Sequence, residues 1–212
     1  MDGTFWGWMA LAGLGAFHGI NPGMGWLFAV ALGMQERSGS AVWRSLLPLG
    51  LGHALAVGVA VLIAVAAGAM IPLSAMRWPV ALFLIGMGVY RLFRGCHSRF
   101  GGMRVGFRGL TAWSFLMATA HGAGLMVVPV FLGMAPAAEA ASCHAHASAA
   151  GTPMTAFLAT GIHGLGYLAV TAAAAWLVFE KLGVGLLRKA WFNLDVIWAC
   201  ALIATGVLTF TL

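Results

Sequence analysis

Charged side chains are scarce in this sequence. They make up 8% of its 212 residues, with five Asp and Glu in all, whereas hydrophobic residues make up 62%. A soluble domain needs a charged surface, so this composition excludes that class and favours an integral membrane protein. The sequence also lacks the alternating ten-residue segments of a membrane β-barrel, which leaves helices as the spanning elements.

Six apolar stretches have the composition of membrane spans, each of which needs roughly 20 residues to cross about 30 Å of hydrocarbon. They cover residues 5–33, 46–70, 78–93, 109–134, 153–179 and 190–211. The predicted fold class is therefore an all-α integral membrane protein with six transmembrane helices, in a single transmembrane domain. The first stretch lacks the basic leading segment of a cleavable signal peptide, so we expect it to be a span.

Basic residues are distributed unevenly among the connecting segments. Ten of the eleven Lys and Arg residues lie between or flanking spans 1 and 2, 3 and 4, or 5 and 6, and only Arg77 lies on the other side. The positive-inside rule places these three segments in the cytoplasm and both termini outside it. We expect a bacterial inner membrane as the location and lipid as a partner. Nucleic acid is not expected, since there is no soluble basic face; the sequence predicts no oligomeric state.

The two halves of the chain resemble each other. FHGINPGMG near the start and AHGAGLMVVP in the second half share a His-Gly pair and a proline. His53 and His163 occupy matching places in the next pair of segments. The likeness runs over three pairs of segments: 17–34 with 120–134, 49–61 with 159–170, and, more weakly, 85–93 with 203–210.

Each half holds three predicted spans, so the second half must enter the membrane from the opposite side. This predicts two inverted three-helix repeats, residues 1–94 and 109–212, joined by a cytoplasmic loop at 95–108. Inverted repeats of this kind are typical of secondary transporters, which bind substrate near the membrane midplane.

Four histidines lie inside predicted spans: His18, His53, His121 and His163. Ionisable residues are costly in hydrocarbon and usually face the bundle interior, where they serve a function. Neutral imidazole suits Zn, Ni, Cu and Fe, so the four residues predict a metal site, with His18 and His121 at the midplane. The alternative is that each imidazole donates to a helix carbonyl and stabilises packing.

Asn21, Pro22 and Gly23 interrupt the first span. Proline removes a backbone donor, which would free the carbonyl of His18, and glycine permits a sharp turn. Non-helical backbone at membrane depth is tolerated where protein or a water-filled cavity covers it, and transporters place substrate at such breaks. We therefore expect a helix break on the substrate path; an ordinary proline kink is the alternative.

Two further positions are candidates for the substrate path. Pro129, with Gly124, predicts a milder break in span 4. Asp195 is the only acid well inside a predicted span. It is either a proton or ion relay near the inner mouth or a residue at the cytoplasmic interface that pairs with Lys189 or Arg188.

The cysteines predict no disulfide framework, because no two of the three lie in adjacent segments on one side of the membrane. Cys143, His144 and His146 fall in the segment between spans 4 and 5, on the predicted outside. Thiolate and imidazole within four residues are a candidate for metal capture at the outer surface. The alternative is a flexible Ala/Ser-rich loop.

FHGINPGMG with the downstream GHALAV resembles the NicO-type nickel/cobalt exporters, of the lysine-exporter and disulfide-reductase membrane-domain superfamily. The resemblance implies export of Ni²⁺ or Co²⁺ by six helices in two inverted triplets, with His18, Pro22, Gly23 and His53 as the matching residues. Met24 stands where that family usually has a histidine. No cysteine lies in spans 1 or 4, so the thiol relay of the electron-transferring relatives is not expected.

The predicted function is secondary transport of a divalent transition-metal ion, Ni- or Co-like, by alternating access, with proton coupling as a hypothesis. The metal ion is then substrate, and no tightly bound cofactor is expected. Two alternatives are a membrane protein with haem b held by pairs of histidines, and an exporter of a small anion or amino acid. The sequence has no nucleophile elbow, HExxH or phosphate-binding Gly-Lys loop, so an enzyme is not predicted.

Overall fold

This computed structural model describes residues 3–68, 73–93, 106–134, 153–182 and 194–210, and almost all of these residues are helical. No strand occurs within these ranges. The eight described α-helices are α1 (Gly3–Ile20), α2 (Trp26–Glu36), α3 (Gly39–Gly68), α4 (Leu73–Phe93), α5 (Phe107–Ala120), α6 (Ala123–Gly133), α7 (Pro153–Leu177) and α8 (Leu194–Thr209). A 3₁₀ helix, Pro22–Met24, separates α1 from α2, and a π-helical segment, Val178–Leu182, extends α7.

Three described helices are long and apolar enough to cross a membrane, by length and composition: Gly39–Ala67, Ala75–Phe93 and Pro153–Lys181. The bent pair α5 and α6 meets the same requirement when taken together, which gives up to four spans. Large apolar side chains such as Leu62, Ile63 and Phe157 are exposed on these helices, as contact with lipid requires. The prediction of an all-helical membrane protein is confirmed at this level.

The break between α1 and α2 follows from the Asn-Pro-Gly sequence. Asn21 is extended, and its side-chain Oδ1 accepts a hydrogen bond from the Gly23 N–H at 2.9 Å, which starts the 3₁₀ turn. Gly25 then takes φ 150°, a conformation that favours glycine. The carbonyl of His18 accepts from Asn21 N–H at 3.3 Å, so the expectation that Pro22 leaves it free is wrong.

The break in the second half lies at a different residue from the predicted one. Helix α5 ends at Ala120, and Gly122 adopts φ 71°, the left-handed region. Helices α5 and α6 therefore meet at a bend of 61°, so this break is not mild. Arg91 of α4 donates to the carbonyl of Ala120 at the end of α5. Pro129 is buried inside α6, which continues past it, so the break comes from His121-Gly122 and not from the proline.

The most extensive helix contacts join the two halves of the chain. They pair α1 with α7, α3 with α5, α4 with α8, and α3 with α7. Glycine makes the closest approaches: a Cβ added at Gly166 of α7 would overlap the carbonyl oxygen of Ala12 in α1, and one at Gly52 of α3 would overlap that of Thr111 in α5. These contacts bring α1, α3, α5 and α7 together, and α6, most of whose residues are buried, packs against α1, α3 and α5.

Helices α4 and α8 pack through two glycines that are used in the same way. A Cβ at Gly88 would lie 2.8 Å from the carbonyl oxygen of Ala199, and a Cβ at Gly206 would lie 3.0 Å from that of Ala81. The isoleucines at 203 and 85 are the other close neighbours, each with its Cγ1 at 2.7 Å. The contact is therefore reciprocal: on each helix a glycine packs against an alanine carbonyl and an isoleucine of the other helix.

Replacing Gly166 with alanine tests the α1–α7 contact. We expect Gly166→Ala to destabilise the protein by about 1–3 kcal/mol, because the added methyl overlaps backbone that cannot move aside easily. Gly164→Ala is the matched control, since nothing lies within 4 Å of a Cβ there and alanine favours a helix over glycine. Thermal unfolding in detergent measures both; equal midpoints for the two variants would contradict the close contact.

Candidate functional site

Three histidines from three helices meet at the centre of the bundle. His18 of α1, His53 of α3 and His163 of α7 are all fully buried, at 0% exposure. Their ring centroids lie 5.1 Å apart for His18 and His163, 5.3 Å for His53 and His163, and 5.7 Å for His18 and His53. We call these residues the histidine triad. It draws its members from both halves of the chain.

Glycines on α1 bring the triad together. A Cβ at Gly15 would overlap the backbone oxygen of His163, and one at Gly19 would lie 2.6 Å from that of Tyr167. The backbones of α1 and α7 can therefore approach closely on either side of His18. This approach also lets the Nδ1 atom of His163 reach the carbonyl of Leu11 in α1 at 3.2 Å.

Backbone carbonyls fix which ring nitrogens carry hydrogen. His18 Nδ1 lies 2.6 Å from the Leu14 carbonyl and His163 Nδ1 faces that of Leu11, and a carbonyl only accepts, so both Nδ1 atoms donate. His163 Nε2 is then an acceptor in the neutral ring. His53 Nε2 lies 3.2 Å from it and must donate, which leaves His53 Nδ1 without hydrogen.

Two nitrogen lone pairs in the triad are therefore open. His18 Nε2 and His53 Nδ1 are buried and have no hydrogen-bond partner among the described residues. A buried polar atom left unpaired costs about 1–3 kcal/mol, so such atoms in a native protein call for an explanation. Two acceptors attract a cation or a hydrogen-bond donor and repel an anion. Neutral imidazole nitrogen is also a good ligand for transition metals.

His121 lies outside the triad. It is 6% exposed and follows the last residue of α5, and its Nδ1 donates to the Met117 carbonyl at 2.8 Å. The indole of Trp198 in α8 contacts both His121 and His18, with ring centroids 5.7 Å and 4.8 Å away. Trp198 therefore lies against both rings, and His121 is close enough to His18 for the two imidazoles to interact electrostatically.

Tyr167 is a residue of this site that the sequence prediction missed. Its ring stacks on His53, with centroids 3.9 Å apart and planes 6° from parallel, and its hydroxyl donates to the Met24 carbonyl at 2.6 Å. A signal was present: Tyr167 follows His163 by four residues, hence on the same helix face, and the chain has two tyrosines in all. Buried Ser114 lies beside the Tyr167 side chain, and its hydroxyl donates to the Leu49 carbonyl at 2.6 Å.

The first helix break is linked to the triad through Tyr167, which bonds the Met24 carbonyl and stacks on His53. Asn21 is 5% exposed, and its side chain caps the 3₁₀ turn. Pro22 and Gly23 form that turn, whose last residue, Met24, bonds Tyr167. The Asn-Pro-Gly segment thus contacts the triad indirectly.

The remaining candidates fall at or beyond the edges of the described ranges. Asp195 is the second residue of α8. Cys143, His144 and His146 lie outside the described residues. Within the described part of the chain, no group of three or more His, Cys, Asp or Glu side chains is arranged so that it could hold a metal ion. In the triad, the bond between His53 and His163 already occupies one of the nitrogens that such a group needs.

Comparison with protein families, curated proteins and solved structures finds no match to this chain.

The assigned hydrogen positions can be measured. Nitrogen NMR of histidine-labelled protein is expected to show hydrogen on Nδ1 of His18 and His163 and on Nε2 of His53, because of the carbonyl partners and the His53–His163 bond. His53→Gln should shift the Nε2 resonance of His163, whereas His97→Gln, far along the chain in the predicted loop, should leave it in place. Hydrogen on Nδ1 of His53 would contradict the assignment.

Proposed function

We propose that this chain is a secondary transporter for a divalent transition-metal cation, Ni²⁺ or Co²⁺ in class. The supporting observation is the histidine triad, with three buried imidazoles and two nitrogens that lack a partner. The triad would be the transport site. A transport site must release its ion, so an incomplete set of ligands is expected there.

The triad holds two open nitrogens, and a third can be released. His18 Nε2 and His53 Nδ1 are open, and His163 Nε2 becomes available when its bond from His53 breaks. Three nitrogen ligands with a water or carbonyl are sufficient for a borderline divalent ion. In the described conformation the two imidazoles are bonded to each other, so binding an ion with all three nitrogens would require that bond to break.

Contacts between the halves support the inverted repeat. Adding 118 to Ala81, Ile85 and Gly88 gives Ala199, Ile203 and Gly206, and the two groups contact each other reciprocally. Exchanging the halves also converts the α1–α7 contact into the α5–α3 contact. Equivalent atoms of equivalent histidines, Nε2 of His53 and His163, face each other. All these relations fit one two-fold axis through the centre.

His18 and His121 are partners in the repeat but differ in place, since His18 is in the triad and His121 is not. We propose that alternating access exchanges their roles, so that His121 completes the site in the second state. The halves are interleaved through α1–α7 and α3–α5, so rocking of one triplet as a rigid body is not favoured. Movement at the two helix breaks fits the packing better.

Export of a dication against the membrane potential needs energy, about 2.3 kcal/mol per charge for each 100 mV. We propose that proton entry supplies it. In vesicles containing the purified protein, a lumen more acidic than the outside should then drive accumulation of the ion, because protons leave as the ion enters.

The alternatives fit the triad less well. A haem between two histidines needs a wide planar space, whereas here the imidazoles contact one another and Tyr167 stacks on His53. An anion exporter needs hydrogen-bond donors, and the open nitrogens are acceptors. The resemblance to NicO-type exporters agrees with the metal proposal and motivates the choice of Ni²⁺ and Co²⁺ as first substrates.

Removing one imidazole of the triad tests the site directly. We expect His18→Ala, His53→Ala and His163→Ala each to weaken Ni²⁺ or Co²⁺ binding about tenfold or more, because a ligand nitrogen is lost. Calorimetric titration and vesicle uptake provide the measurements. His97→Ala is the control, since this histidine lies in the predicted cytoplasmic loop.

Two outcomes would overturn the proposal. One is unchanged binding and uptake in His18→Ala. The other is a different ligand in the wild type: a Soret band in the visible spectrum of the purified protein would favour haem, and thermal stabilisation by anions or amino acids but by no metal ion would favour that exporter class.

His121→Ala tests the exchange of roles. It should retain ion binding within about twofold, because the triad is intact, yet lose most vesicle transport, because the second state lacks a ligand. Binding and uptake measured on the same preparation separate the two effects. Parallel loss of both, or of neither, would contradict the exchange and leave the triad proposal standing on its own test.

A further inference from the structure

At the first helix break, the carbonyl of Met24 accepts its hydrogen bond from a side chain, the hydroxyl of Tyr167. In an unbroken helix the carbonyl of Met24 would accept from the N–H of Phe28, but that N–H bonds Gly25 at 3.0 Å instead. The hydroxyl of Tyr167 takes its place at 2.6 Å. Gly25 leaves room for it, since a Cβ there would lie 2.8 Å from the Tyr167 oxygen.

The other side of the same ring holds His53. The two rings are nearly parallel and 3.9 Å apart, and both side chains are fully buried. Two contacts then define the orientation of His53: its ring stacks on Tyr167, and its Nε2 atom donates a hydrogen bond to His163. Neither involves the open Nδ1 atom. Tyr167 thus touches the broken backbone at its hydroxyl and a triad imidazole at its face.

We propose that Tyr167 is a positioning residue that couples the orientation of the His53 ring to the conformation of the first helix break. When the break changes conformation, the direction in which the open Nδ1 atom of His53 points would change with it. The functional part of this inference rests on the proposed transport function: movement of the break would turn His53 toward or away from the ion. Its geometric part does not depend on the ion. The role proposed for Tyr167 is to orient His53, since its hydroxyl donates its hydrogen to the Met24 carbonyl and its ring stacks on the imidazole.

The two tyrosines of the chain offer a matched pair of variants. Tyr167→Phe removes the hydroxyl and keeps the stacked ring, and Tyr90→Phe makes the same chemical change on α4, where the side chain is 54% exposed. We expect Tyr167→Phe to weaken Ni²⁺ or Co²⁺ binding three- to tenfold, the range set by loss of one hydrogen bond. Tyr90→Phe should bind as the wild type does.

A spectroscopic measurement separates positioning from a merely structural role. In Tyr90→Phe protein grown with 3-fluorotyrosine, Tyr167 gives the single tyrosine fluorine resonance. This resonance should move during Ni²⁺ or Co²⁺ titration and saturate together with the calorimetric signal, because the break and His53 move as a unit. A resonance that stays fixed, with Tyr167→Phe binding within twofold of the wild type, would overturn the inference.

The ion-free protein keeps the two proposals distinguishable. Without metal, Tyr167→Phe should shift the ring-nitrogen resonances of His53, and Tyr90→Phe should not. If the wild type binds no metal at all, the transport proposal fails and the positioning of His53 is decided by these resonances. If the wild type binds metal and the His53 resonances are identical in both variants, the positioning role is wrong and the transport site stands.

Discussion

A buried imidazole must find hydrogen-bond partners, and that constraint organises the centre of this protein. Leu14 and Leu11 supply carbonyls for two of the rings, and the His53–His163 bond satisfies part of the third. No carboxylate joins the triad among the described residues, so three neutral imidazoles leave the site without a negative charge. The two nitrogens left over, His18 Nε2 and His53 Nδ1, are buried acceptors that no described residue satisfies.

Glycine makes that arrangement reachable. The rings of His18 and His163 meet because Gly15 and Gly19 remove the side chains that would hold α1 and α7 apart. The same closeness places α7 beside the 3₁₀ turn, where Tyr167 reaches the Met24 carbonyl. Packing, helix break and triad are therefore coupled. A change that separates α1 from α7 would loosen the helix packing, the Tyr167–Met24 hydrogen bond and the contact between His18 and His163.

Many residues of this centre could be predicted from their identity alone, whereas their arrangement depends on contacts between helices that the sequence does not show. Histidines stand out because polarity is costly in apolar spans, so all four candidates were found and all four are buried. One shared site for the four was predicted, but which three rings contact one another was not, because that depends on how α1 crosses α7. Trp198 and Tyr167 were missed since aromatic residues in a span look like ordinary core. The second break was misplaced because Pro129 attracts attention, whereas the positive φ of Gly122 has no such signature.

The proposed inverted repeat would relate His53 and His163 by a two-fold axis, and a hydrogen bond between like atoms cannot obey that symmetry. Nε2 of His53 and Nε2 of His163 lie 3.2 Å apart with ring planes 10° from parallel, as symmetry would place them. One hydrogen must nevertheless belong to one ring, and the Leu11 carbonyl decides that it belongs to His53. That carbonyl comes from the helix that also carries His18. The half that contributes His18 to the triad therefore also fixes the hydrogen, so the asymmetry of the pair and the unequal places of His18 and His121 have one source.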